Sequence, residues 1–146
     1  MPLPAVRGWL IDFRTASAIF ASQSNTRITH CVTLCQQGAL HICHREEKRF
    51  RDDGALAAPF VLDQCCVFEP DDDIYARCQA IGANGCGKPI LSTNETGIFL
   101  AAIAVARTFG VISDHRSPKF ATVFDLCGAY GVPVLSADDY FALACP

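Results

Sequence analysis

The feature that most constrains this chain is an alternation: short apolar runs, each too brief for a helix, are separated by segments of helical character, and two of the runs stop at an aspartate. Val6 to Asp12 (Val-Arg-Gly-Trp-Leu-Ile-Asp) reads as a strand ending in a carboxylate, with a helix from Thr15 to Ala21. Thr26 to Gln37 reads as a second helix, closed by Gly38, and Ala39 to Cys43 as a second strand. His44 to Asp53 is the most charged stretch and reads as an exposed helix. Phe60 to Phe68 fits a strand or a buried helical turn, and strand is the reading taken. Pro70-Asp-Asp-Asp73 places negative charge where a helix running through Ile81 has its positive end, and the glycine-rich stretch from Gly82 to Pro89 is a loop.

The second half repeats the pattern. Asn94 to Thr108 is a helix apolar on several sides, ended by Gly110, and Val111-Ile-Ser-Asp114 is a strand that again stops at an aspartate. Pro118 to Tyr130 reads as a helix closed by Gly131, Val132 to Leu135 as a strand, and Ser136 as the cap of a last helix. Strand and helix alternating through short connections imply a central, mainly parallel sheet with helices on both faces, a three-layer α/β/α fold, and residues 1–146 form a single domain of that kind. In such sheets chemistry gathers at the carboxyl ends of the strands, where Asp12 and Asp114 both fall.

Composition narrows the function classes. With 51% apolar and 18% charged residues the chain can fill a core, and the apolar surplus points to a homodimer. The longest apolar stretch, Gly97 to Ala106, is about half the roughly 20 residues needed to cross a bilayer, so no membrane association is expected. The first residues lack a basic segment followed by a long apolar one, which makes a cytoplasmic location the expectation. Nine cysteines, an odd number, argue against a disulfide framework. Cys31 and Cys35 alone have acceptable zinc spacing, and one helical turn apart on an apolar stretch they read better as small hydrophobes. A net charge of −3 gives no overall attraction to nucleic acid, so such contact must come from a local patch or a metal.

Glu95 opens the long helix feeding the strand that ends at Asp114, so Asp12, Glu95 and Asp114 are predicted at one sheet edge. Carboxylates packed together repel, and a hard divalent cation, Mg²⁺ or Mn²⁺, relieves the repulsion. Taken singly, Asp12 suits a turn, Glu95 a helix start and Asp114 a cap; taken together they favour a site.

At these residues the chain resembles the PIN-domain nucleases. The stretch from Asn94 to Asp114, followed by Phe120 to Tyr140 with Gly-Val-Pro-Val-Leu, is similar to that family's acidic residue on an alanine-rich helix, strand ending in Thr/Ser-Asp, and closing elements. Leu10-Ile11-Asp12 resembles its first strand and aspartate. Where the family places Thr or Ser soon after that aspartate, Phe13-Arg14 stand here with Thr15 and Ser17 beyond, and His115 stands where the family often has a second acidic residue. The resemblance implies a metal-dependent ribonuclease, in many cases the toxin of a toxin–antitoxin pair with an antitoxin protein as partner. Asp12, Glu95 and Asp114 would be catalytic and, with Glu47 chosen over Glu46, would hold Mg²⁺ or Mn²⁺. RNA would lie on basic residues drawn from Arg45, Lys48, Arg49 and Arg51, or Arg116 and Lys119. Ser113 is expected to orient Asp114, and His30, His41 and His44 are read as surface or partly buried rather than as ligands. The alternatives are a catalytically degenerate PIN-like binding module and, third, a cysteine-based zinc or redox protein.

Overall fold

β1 (Gly8–Ile11) is the middle strand of the sheet in the computed structural model, which describes residues 2–146. Trp9 and Ile11 enter one apolar core and Leu10 the other, the period of two that a strand covered on both faces must show. The chain continues through α1 (Phe13–Ala21), α2 (Asn25–Gln36), β2 (Leu40–Cys43), a 3-10 turn (His44–Glu46) and α3 (Glu47–Asp52). A π-helical turn (Ala58–Leu62), β3 (Val67–Phe68) and α4 (Asp72–Asn84) complete the first half. The second half is α5 (Glu95–Arg107), β4 (Phe109–Ile112), α6 (Val123–Gly128), β5 (Val134–Leu135) and α7 (Ala137–Ala144).

Five strands pair in parallel in the order β3-β2-β1-β4-β5, and helices cover both faces, as the alternation predicts. One core joins Trp9, Ile11, Leu40 and Ile42 of the sheet to Ile19 of α1, Cys31 and Cys35 of α2, and Tyr140 and Phe141 of α7. The other joins Leu10 and Val111 to Ile74 and Ile81 of α4, Leu100 and Ile103 of α5, and Leu126 of α6. α5 is buried on several sides, which its continuous apolar composition requires.

The helix ends follow their residues. The Asp71 side chain accepts from Ile74 N–H at 3.0 Å and the Ser136 hydroxyl from Asp139 N–H at 3.1 Å, while Gly38 turns the chain out of α2 at φ +68°. Four expectations need correction. The strand read over Phe60 to Phe68 is confined to Val67–Phe68, because Ala58–Leu62 winds as a helical turn that sinks Phe60 into the core. α5 is ended by Thr108 in the left-handed conformation, whereas Gly110 lies within β4, where a Cβ would overlap the Trp9 indole of the adjoining strand. α6 starts only at Val123, since Ser117 to Phe120 is a turn in which the Ser117 hydroxyl accepts from Phe120 N–H at 3.1 Å. The charged segment from His44 is not a fully solvated face, for Glu46 and Phe50 are buried.

Candidate functional site

β1 and β4 run side by side, and their carboxyl ends are stitched together by side chains. Asp12 follows β1 directly and caps α1, its Oδ1 accepting from Thr15 N–H at 2.8 Å, while its Oδ2 accepts the hydroxyl proton of Ser113, the residue after β4. Thr15 Oγ1 in turn accepts from Asp114 N–H at 3.0 Å. Ser113 therefore orients Asp12 and not Asp114, a correction that follows from its hydroxyl facing β1.

β2 delivers the second carboxylate. At the end of the 3-10 turn, Glu46 is 5% exposed; its Oε1 accepts from Phe13 N–H at 3.2 Å and its Oε2 lies 3.5 Å from Arg49, whose guanidinium rests over the Phe13 ring. Burial, and secondarily the charge of Asp12, push the Glu46 carboxyl up to about 7, against the opposing pull of Phe13 N–H and Arg49. Near neutral pH this side chain exchanges between acid and carboxylate.

Asp12 and Glu46 line a cleft of about 380 Å³ above the sheet edge, with Arg14, Arg49, Asn94 and His115 among its walls. The other carboxylates predicted for this place turn elsewhere. Glu47, chosen in preference to Glu46, is on the outer face of α3 and pairs with Arg51 at 2.9 Å. Glu95 opens α5 as expected but is 55% exposed and tied to Arg45. Asp114 points toward α7, its Oδ1 accepting from Ala137 N–H at 2.8 Å. In each case the immediate neighbour faces the cleft: Glu46, Asn94 and His115. Glu46 had a signal in the sequence, since it lies four residues before Phe50, the one large apolar residue of its segment, and so shares its inward face.

These donors do not make a fit for a resident Mg²⁺ or Mn²⁺. Among the described residues only two carboxylates, Asp12 and Glu46, share the cleft, and each already accepts a backbone N–H, from Thr15 and Phe13. Among the described residues, no group of three or more His, Cys, Asp or Glu side chains is arranged to hold a metal ion.

The rim of the cleft is cationic. Arg14 lines it, and the loop bearing His115 and Phe120 also carries Arg116 and Lys119; none of these three cations has a carboxylate partner within 4 Å among the described residues. Arg116 donates to the carbonyls of Ser113 at 2.8 Å and His115 at 3.0 Å and lies over the half-exposed Phe124 ring. Lys88 fastens this loop from below, donating to Ser117 O and Asp125. No helix is long and apolar enough to cross a membrane among the described residues. No family model matches the chain, and neither a curated protein nor a solved structure matches it.

Proposed function

We propose that this chain is a catalytically degenerate PIN-like module that binds RNA along the cleft at the carboxyl edge of its sheet. The observation that carries the reading is the combination of an incomplete acidic set with cations in and beside the cleft, Arg14, Arg116 and Lys119, that have no carboxylate partner within 4 Å among the described residues. Arg14 in the cleft and Arg116 and Lys119 on the adjoining loop supply charge for phosphates, and the Phe120 and Phe124 rings beside the latter two offer surfaces on which bases stack. Asp12 and Glu46 then serve the architecture: Asp12 joins β1 to β4 through Ser113, and Glu46 secures the start of α1.

A second reading, a metal-dependent ribonuclease of the toxin type with an antitoxin protein as partner, is favoured by Asp12 and Glu46 meeting at the sheet edge. It requires Glu95 to leave Arg45 and Asp114 to leave the start of α7. One experiment separates the two. Fluorescence anisotropy with a labelled single-stranded RNA is combined with gel analysis of the same RNA after incubation in Mg²⁺ or Mn²⁺. Binding of an RNA that stays intact supports the module. Cleavage that Asp12→Asn abolishes replaces it with the nuclease, and absence of both binding and cleavage removes both readings. The homodimer proposed from the apolar surplus is tested separately by light scattering.

A further inference from the structure

Far from the cleft, where α7 packs on α2, three side chains form a chain of hydrogen-bonding groups. Cys145 Sγ lies 3.6 Å from His30 Nδ1, and His30 Nε2 lies 2.8 Å from the hydroxyl of Tyr140. Cys145 and His30 open onto a shallow groove whose other walls include Thr29 and Thr33, so this thiol is reachable while its partners are held from behind. Tyr140 is almost fully buried against Trp9, which fixes the imidazole through the phenol. In the tautomer that donates Nε2–H to the Tyr140 oxygen, the Nδ1 lone pair faces Sγ, and burial, which draws the His30 pKa below its ordinary value, keeps the resting ring neutral. The same burial raises Tyr140 to about 12, so its hydroxyl keeps its hydrogen and remains a hydrogen-bonding anchor. A nucleophile, a neutral base and a group that orients the base are thus arranged in series.

We propose that Cys145 is a reactive thiol, deprotonated by His30, that reduces small hydroperoxides and is converted to a sulfenic acid. The thiol proton passes from Sγ to His30 Nδ1, and the thiolate attacks one peroxide oxygen. An S–O bond forms as the O–O bond breaks, and the leaving oxygen departs with the bonding pair and takes the proton from His30. The peroxide is reduced to water or an alcohol, and Cys145 is oxidised by two electrons. The groove, open and edged by threonine hydroxyls, suits a small polar oxidant.

Cys65 supplies an internal control, being an exposed thiol on the same chain. The full chain is treated with hydrogen peroxide in the presence of dimedone, which captures sulfenic acids, and the adducts are mapped by peptide mass spectrometry. Cys145 is expected to label about tenfold faster than Cys65, and His30→Gln to remove that advantage while leaving Cys65 unchanged. Equal labelling of the two cysteines, or an unaltered Cys145 rate in His30→Gln, overturns the proposal. Should His30→Gln fail to fold, iodoacetamide alkylation of the unsubstituted chain decides: a Cys145 rate no higher than that of Cys65 overturns it.

Discussion

Glu46 is a carboxyl held where its charge is disfavoured, and this leaves a signature in stability. Its proton is bound up to about pH 7 in the fold, against an ordinary value of 4.5. Between those values the folded chain binds more protons than the unfolded one, so stability falls as pH rises through that window and levels off above it. The displacement from 4.5 to about 7 corresponds to about 3 kcal/mol at most, the pull of Arg49 being already contained in it. Glu46→Gln removes the titration, so the stability lost by the parent between pH 5 and pH 8 is expected to shrink by about 1–3 kcal/mol in the variant. Urea denaturation at the two pH values measures this, and identical pH slopes would show that Glu46 ionises freely. Asp12 differs in kind: both its oxygens already receive hydrogen bonds, from Thr15 N–H and the Ser113 hydroxyl, while the backbone ladder between β1 and β4 holds the two strands together independently of its charge.

Among the elements, those legible in the sequence carry their own punctuation. Asp71, Ser136 and Gly38 each mark a helix end because a side-chain acceptor or a free φ is needed there whatever the rest of the chain does. Phe60 to Phe68 has no such mark; its apolar residues serve a buried helical turn as well as a strand, and only packing against α2 and α3 decides. Thr108 was hidden for a similar reason. The α5 end needs a left-handed residue, and the nearest glycine, Gly110, is committed to the close approach of Trp9, so an exposed threonine takes φ +58°. A β-branched residue is strained in that region by about 1–2 kcal/mol, and glycine returns part of the gain as lost chain entropy. Thr108→Gly is therefore expected to stabilise the chain by about 1 kcal/mol, read as a higher melting temperature by calorimetry. A lower melting temperature would mean that the threonine side chain contributes more than its strain.

At the level of the whole molecule, topology was legible and side-chain direction was not. Alternating apolar runs determined a parallel sheet with both faces covered, and Asp12 and Asp114 do stand at neighbouring strand ends. Which side chain turns into the cleft depends on local winding: a 3-10 turn presents Glu46 in place of Glu47, the start of α5 presents Asn94 in place of Glu95, and the bend after β4 presents His115 in place of Asp114. One residue of rotation changes the site from a set of four carboxylates to two, with cations at the rim. This matters for binding because the chain carries a net charge of −3 and has no global pull on a polyanion. Any affinity for RNA must then arise from the rim itself. Each phosphate neutralised on a single strand contributes about −0.7 to the slope of log K against log salt, so contacts from Arg14, Arg116 and Lys119 together give about −2. Replacing each by alanine in turn is expected to reduce the steepness by about 0.7, whereas Lys48→Ala, on the outer face of α3 and paired with Asp52, leaves it unchanged. Anisotropy titrations across a salt series measure these slopes. A steepness that responds equally to Lys48 and to the rim cations would place the RNA on the general surface and not on the cleft.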